Sequence, residues 1–270
     1  MSNPLYWLDL MGLKIAIGGK GGVGKTTVCA VWARLFAQDG LDVLAIDADP
    51  NTNLALAFGI DSAQTGEPLI KMKQLIAERT GTTKESVGAY FKLNPEVSDL
   101  PEKYQVKVNG VKLLVLGGIT QAGAGCACPE GAFLKALLTH TILQRQELVL
   151  VDLAAGVEFM GRASIQGIDA LVVIAEPGRR SIDTANNIAK MGQQLGIKTI
   201  AAIANKITDT VQTQTIKSQL TMPVLANINY IPAVQDADLR NEPAFEVGGE
   251  LVNQLRQAKN ELTSLIERKQ

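Results

Sequence analysis

Short apolar runs alternate with longer amphipathic stretches along most of this 270-residue chain. The runs lack the every-second-residue alternation of a sheet with one wet face, so they predict strands buried on both faces. The predicted strands are Leu13–Gly18, Asp42–Asp47, Val111–Leu116, Glu147–Asp152, Leu171–Ala175, Thr199–Ala204 and Val224–Ile228. The stretches between them predict crossover helices, among them Thr26–Gln38, Gly131–Leu143 and Ser181–Leu195. This order predicts an α/β fold with a doubly wound, mostly parallel sheet and helices on both faces.

The region from about residue 60 to 110 interrupts this rhythm. Leu69–Glu78 predicts a helix. Asn109-Gly110 between two strand-like runs predicts a hairpin, because both turn positions accept positive φ. We therefore expect an insertion at the sheet edge within a single domain of residues 11–270, ending in a helix over about Gly249–Arg268. Residues 1–10 are expected to form a loose N-terminal tail.

Composition excludes several classes of protein. The chain is 46% hydrophobic and 20% charged with a net charge of −1, which excludes disorder and a basic surface built for nucleic acid. No stretch reaches the ~18 uncharged apolar residues that a membrane span needs, and residues 1–12 do not resemble a signal peptide. Together with an odd number of cysteines, this predicts a cytoplasmic protein with reduced thiols and without a nucleic-acid or membrane partner.

Eleven of the 25 glycines fall in two windows, residues 12–24 and 117–131. The first window fits G-x-x-x-x-G-K-[ST] between a predicted strand and a predicted helix. Glycines there let backbone N–H groups converge on phosphate oxygens that side chains would block. Lys25 is expected to reach the β- and γ-phosphates, and the Thr26 hydroxyl to bind Mg²⁺. The predicted nucleotide contacts in this loop are Gly21, Gly22, Val23, Gly24, Lys25, Thr26 and Thr27.

Lys20 adds a second lysine to the loop, and KGGVGKT resembles the deviant Walker A motif of the MinD/ParA/NifH ATPases. The resemblance implies an ATPase with low intrinsic turnover, in which Lys20 acts across a homodimer on the partner's nucleotide, like an arginine finger. Asp47-Ala48-Asp49-Pro50 resembles the switch I segment of that group. By this resemblance, Asp49 orients or deprotonates the attacking water, and Asp47 is a structural group or an outer ligand of Mg²⁺.

Two further segments complete the expected nucleotide site. Leu148–Asp152 followed by Leu-Ala-Ala-Gly resembles a Walker B strand entering switch II, with Asp152 on the Mg²⁺ side and the Gly156 N–H on the γ-phosphate. Asn205-Lys206 follows the sixth predicted strand. A guanine-reading N-K-x-D motif needs an aspartate where Thr208 stands, whereas the Asn205 amide matches the donor and acceptor edge of adenine. ATP is therefore favoured over GTP, with Asn205 and Lys206 as nucleotide contacts.

The second glycine window carries Cys126 and Cys128. Residues two apart in an extended chain point to the same side, so both thiolates can face one metal. Two ligands make only half of a tetrahedral site. A homodimer supplying the pair twice completes a site for nickel or zinc. Incidental small residues or a redox pair are the alternatives. Cys29 is expected in the core, and His140 is expected to be structural or exposed.

The KGGVGKT loop, the LNPEV segment and G-x-G-C-x-C-P-E together resemble the CooC family. That resemblance implies a metallochaperone ATPase that uses ATP and Mg²⁺ and assists nickel insertion into carbon monoxide dehydrogenase or acetyl-CoA synthase. Two alternatives stay open. One is a positioning ATPase of the MinD/ParA type, and the other is a NifH-like iron–sulfur reductase subunit.

Overall fold

The structure, a computed structural model, describes residues 12–82, 91–118, 128–140, 147–155 and 167–268. The strands are β1 (Leu13–Gly19), β2 (Asp42–Ala48), β3 (Val106–Val108), β4 (Val111–Val115), β5 (Glu147–Leu153), β6 (Ala170–Ala175), β7 (Thr199–Ile207) and β8 (Val224–Asn229). The helices are α1 (Lys25–Gln38), α2 (Leu54–Ala57), α3 (Ser62–Thr65), α4 (Lys73–Thr80), α5 (Leu100–Tyr104), α6 (Pro129–His140), α7 (Arg179–Gln194), α8 (Thr210–Gln219), α9 (Pro232–Leu239), α10 (Ala244–Val247) and α11 (Gly249–Glu267).

These strands form one sheet in the order β3-β4-β2-β5-β1-β6-β7-β8. Every paired strand is parallel to its neighbour except β3, which is antiparallel to β4 at the sheet edge. All seven predicted strands are present, and the predicted doubly wound α/β fold is confirmed. Because β1 lies between β5 and β6, the loop that follows β1 leaves the middle of the sheet at its carboxyl edge, where open α/β sheets bind ligands.

The strands bury both faces, as their continuous apolar runs predict. Ile15 and Ile17 of β1 belong to the core that α1 and α11 cover, while Ala16 between them belongs to the core under α6 and α7. A polar contact crosses the first core: Trp32 Nε1 in α1 donates to the Leu255 carbonyl of α11 at 2.9 Å. This contact joins α1, and with it the glycine-rich loop that precedes it, to α11 on the same face of the sheet.

One predicted helix is interrupted in the structure. The helix expected over Leu69–Glu78 is a 3₁₀ turn at Leu69–Lys71 followed by α4 from Lys73. The cause is tertiary, since the Ile70 N–H donates to the Leu116 carbonyl beyond β4 at 3.0 Å. The hairpin is confirmed, with φ of 50° at Asn109 and 79° at Gly110. In the described part of the chain, no helix is long and apolar enough to cross a bilayer.

Candidate nucleotide-binding site

A cleft of about 970 Å³ opens at the carboxyl edge of the sheet. Most of the predicted nucleotide residues line it, namely Gly21, Gly22, Gly24, Lys25, Thr26, Thr27, Asp49, Asn205 and Lys206. Val23 turns its side chain into the core instead. Lys20 is exposed and lies outside the lining. Gly156 falls outside the described residues, which reach Ala155 on the cleft wall. The fold thus brings together groups from four separate segments of the chain.

The loop between β1 and α1 has the backbone of an anion cradle. Gly24 has a φ of 93° and precedes the first turn of α1, where no described side chain caps the free N–H groups. A Cβ at Gly24 would lie 2.6 Å from Asn205 Nδ2, so only glycine fits. Uncapped N–H groups at a helix N-terminus bind anions and interact favourably with negative charge. Lys25 adds a buried ammonium, whose Nζ lies 3.4 Å from the Lys20 carbonyl oxygen.

Asp47 and Asp152 face each other across paired strands at the base of the cleft. Asp47 is fully buried, and its two carboxylate oxygens accept the N–H groups of Asp49 at 3.2 Å and Leu54 at 2.9 Å. Asp47 therefore shapes the loop that carries Asp49. Asp49 is half-buried on the cleft wall, and its Oδ1 accepts the Asn51 N–H at 2.8 Å.

Asp152 is a buried carboxylate whose surroundings suit the binding of a cation. It is 1% exposed, it lies beside Thr26, and its buried Oδ1 has no hydrogen-bond partner among the described residues. Burial raises the pKa of Asp152 to about 7, and the charge of Asp47 adds to this effect. Burial likewise raises the pKa of Asp47 to about 6. A carboxylate and a hydroxyl beside a phosphate cradle are the oxygen donors that Mg²⁺ takes, so these residues fit the ion.

The far wall of the cleft follows β8, and sequence reasoning singled out none of its residues except Ile231, in an Ile231-Pro232 segment that resembles the family loop near the base. Asn229, Tyr230, Ile231, Gln235, Asp238, Asn241 and Glu242 line it. The Asn205 amide nitrogen donates to the Val23 carbonyl at 2.8 Å. Lys206 Nζ donates to the Gly22 carbonyl at 2.8 Å and pairs with Glu176 at 2.6 Å. Glu176 was also missed, although its position directly after β6 at the binding edge was a usable signal.

Comparison with known proteins shows which family has this nucleotide-binding cleft and sheet. Residues 14–244 match the CbiA family, the CobQ/CobB/MinD/ParA nucleotide binding domain. The chain belongs to this family. It is 44% identical over 229 residues to the carbon monoxide dehydrogenase accessory protein CooC of Rhodospirillum rubrum, covering 84% of this chain and 87% of that protein. The resemblance to CooC proteins is thus confirmed.

Two further relatives extend the comparison. An uncharacterized ATP-binding protein of Methanocaldococcus jannaschii is 40% identical over 86% of this chain and 90% of its own length. The solved structure of the MinD cell division protein of Aquifex aeolicus is 21% identical, with a TM-score of 0.67 over 94% of this chain and 97% of that one. At that identity the structural match establishes the fold alone, in agreement with the sheet described above.

The second predicted site is the Cys126/Cys128 metal site, and the structure describes only Cys128 of this pair. Cys126 lies outside the described residues. Cys128 is half-buried directly before α6, where its Sγ accepts the Gly131 N–H at 3.2 Å. Burial raises the pKa of this thiol, while the Gly131 hydrogen bond opposes the rise. Within the described ranges, no group of three or more histidine, cysteine, aspartate or glutamate side chains could hold a metal ion. Cys29 is buried in α1.

Proposed function

We propose that this chain is an ATP-hydrolysing metallochaperone that forms a homodimer with ATP, metal or both. In this proposal it assists nickel insertion into carbon monoxide dehydrogenase or acetyl-CoA synthase in the cytoplasm. The observation that carries the proposal is the likeness to a carbon monoxide dehydrogenase accessory protein over most of both chains. The Cys126/Cys128 pair, on the same chain as a phosphate cradle, supports it independently.

The nucleotide half of the proposal rests on the cleft. The N–H groups from Gly21 to Thr27 and the Lys25 ammonium hold the phosphates, with the Gly156 N–H on the γ-phosphate. Thr26 and Asp152 hold Mg²⁺, which neutralises charge on the β- and γ-phosphates when bound. Asp49 positions the attacking water from the cleft wall, and Lys20 of one subunit completes the site of the other. One N–H of the Asn205 amide donates to the Val23 carbonyl, and the amide oxygen accepts from the exocyclic amine of adenine.

The metal half rests on the two thiols, with nickel or zinc as cargo. Four thiolates, two from each subunit, make a tetrahedral site on the two-fold axis. The hydrogen bond from the Gly131 N–H and the N-terminus of α6 both favour the thiolate form of Cys128. If metal and ATP are both held between subunits, each favours the closed dimer and hence the binding of the other.

Metal stoichiometry tests this proposal. We expect about one nickel or zinc ion per dimer in the unaltered protein, measured by elemental analysis on a species sized by light scattering. Cys126→Ser/Cys128→Ser is expected to lose the ion and keep ATP binding. Serine at 128 is a good N-cap residue, so α6 remains capped and the loss reports on ligation. Cys29→Ala, which removes the third thiol, is the matched control and is expected to retain the metal.

Three results would contradict the proposal. Unchanged metal binding by the double-serine variant would remove the thiol site. Iron with acid-labile sulfide and a visible chromophore would indicate the reductase alternative. ATP-dependent pelleting with liposomes or DNA would indicate the positioning ATPase. The mixed charges of α11, which carries Arg256 beside Glu250 and Glu261, argue against that last outcome.

A further inference from the structure

Two adjacent side chains at the end of β7 hold two consecutive carbonyl groups of the phosphate-binding loop. Lys206 Nζ lies 2.8 Å from the Gly22 oxygen, and Asn205 Nδ2 lies 2.8 Å from the Val23 oxygen. The carbonyl and the following N–H of a planar trans peptide point in opposite directions. Fixing these two oxygens therefore fixes the directions of the Val23 and Gly24 N–H groups, which belong to the expected phosphate cradle.

The backbone of Lys206 shows that this contact is maintained against strain. Its φ is 59°, in the left-handed region that side chains other than glycine rarely adopt. A lysine in this conformation costs free energy, and such residues persist where surrounding contacts over-determine them, most often at functional sites. The contacts at Lys206 are the Gly22 carbonyl and one carboxylate.

That carboxylate belongs to Glu176, whose Oε1 lies 2.6 Å from Lys206 Nζ. Glu176 is itself held in a fixed turn after β6. Its backbone N–H donates to the buried Ser181 hydroxyl at 3.0 Å, and its carbonyl accepts the Gly178 N–H at 2.7 Å. A lysine side chain loses much rotamer freedom when its ammonium is confined to one site. The Glu176 carboxylate, fixed beside the loop, therefore keeps the Lys206 ammonium at the Gly22 carbonyl.

We propose that Glu176 is a positioning residue for ATP: through Lys206 it fixes the Gly22 peptide and with it the phosphate-binding form of the loop. The inference rests on the proposed function in requiring that the cleft bind ATP. Neither the Glu176 carboxylate nor its hydrogen-bonded ammonium is placed on the reacting atoms. Loss of the pair is therefore expected to weaken nucleotide binding and raise KM, with little change in kcat.

Two variants test the proposal by isothermal titration with MgATP and by steady-state hydrolysis. Glu176→Gln is expected to raise Kd and KM about fivefold, as for loss of one partly exposed charged contact, with kcat within about twofold. Lys206→Gly removes the side chain and relieves the strain, because glycine accepts a φ of 59° freely, and it is expected to show the same rise. The double variant is expected to match Lys206→Gly alone, since both residues act through one ammonium.

The matched control is Asp183→Asn. Asp183 is an exposed carboxylate on α7 that pairs with Arg179 at 3.9 Å, and neither residue lines the nucleotide cleft. Its nucleotide affinity is expected to equal that of the unaltered chain. Thermal unfolding without nucleotide separates a structural role from a positioning role. Lower stability of Glu176→Gln with an unchanged Kd would overturn the proposal, and so would additive effects in the double variant.

Different results would overturn the proposed function and the proposed role of Glu176. An unaltered chain that binds no ATP would overturn both proposals. An unaltered chain that binds ATP without hydrolysing it would overturn the ATPase assignment alone, and the comparison of Kd values would still decide the role of Glu176.

Discussion

Gly118 lies directly against Pro50, with no space for a side chain between them. A Cβ at residue 118 would stand 2.6 Å from Cδ of Pro50. The neighbouring backbone is tied to the same loop, because the Asp47 carbonyl accepts the N–H groups of Leu116 and Gly117, both at 2.9 Å. The chain that leaves β4 toward the cysteines is therefore packed on the loop that carries Asp49.

Gly118→Ala is expected to lower ATP hydrolysis more than ATP binding. The added methyl group pushes Pro50 away and moves Asp49 with it, while the glycines of the phosphate cradle remain in place. Overpacking of this kind typically costs about 1–3 kcal/mol of stability, which urea unfolding measures. Gly249→Ala is the control, since a Cβ there meets nothing within 4 Å. An unchanged kcat in Gly118→Ala would show that this contact does not position Asp49.

Gly24→Ala is expected to weaken MgATP binding. Gly24 has a φ of 93°, and a Cβ there would collide with the Asn205 amide at 2.6 Å. Gly40→Ala separates backbone strain from the collision with Asn205, because Gly40 has a φ of 92° and a Cβ there meets nothing within 4 Å. Both alanine variants are expected to lose about 1 kcal/mol of stability from backbone strain. Only Gly24→Ala is expected to lose affinity, by about tenfold or more in titration calorimetry; equal affinities would contradict the prediction.

The stability of the nucleotide-free protein is expected to fall as pH rises from about 4 to 7. Asp152 and Asp47 have pKa values raised to about 7 and about 6, chiefly by burial. An unfolded aspartate titrates near ~3.9. Between these values the folded state binds more protons than the unfolded state, so the slope of unfolding free energy against pH is negative.

Thermal unfolding from pH 5 to 8 measures this slope. Asp152→Asn is expected to flatten it, because the amide carries no buried charge at any of these pH values. MgATP is expected to flatten it as well, since a bound divalent cation offsets the two carboxylates. Asp183→Asn, which changes an exposed carboxylate, is expected to keep the slope. A slope unchanged in Asp152→Asn would assign the effect to other groups.

The features that were predictable from sequence are local in the chain. The phosphate cradle is contained in eight consecutive residues, Gly19 to Thr26, whose spacing reflects local requirements of the backbone and of the Lys25 and Thr26 side chains. The strands were predictable because burial on both faces leaves continuous apolar runs. The pairs Glu176–Lys206 and Pro50–Gly118 were not predictable, because each joins the ends of two strands that the sheet order brings together. The broken helix at Leu69 has the same cause, a backbone contact with the end of β4.

Mixed dimers offer a direct test of whether Lys20 acts in trans. Lys20→Ala and Asp49→Asn are each expected to lower hydrolysis by about 10³-fold or more, as loss of an arginine-finger-like charge or of a water-positioning group does. In a mixed dimer, the site on the Lys20→Ala chain keeps its own Asp49 and receives Lys20 from the Asp49→Asn chain. That site is complete, so mixing two inactive proteins is expected to restore activity.

Titrating one inactive variant into the other, with hydrolysis measured at each ratio, checks the expectation. Activity is expected to peak near equal amounts and to reach about a quarter of the unaltered activity. Random pairing makes half of the dimers mixed, and each mixed dimer has one complete site of two. A mixture of Lys25→Ala with Lys20→Ala is the control, because Lys25 lies inside the cleft of its own chain. This mixture is expected to restore activity in the same way, since the site on the Lys20→Ala chain is again complete. If Lys20 served the nucleotide of its own chain, neither mixture would recover activity, since every Lys20→Ala site would remain incomplete.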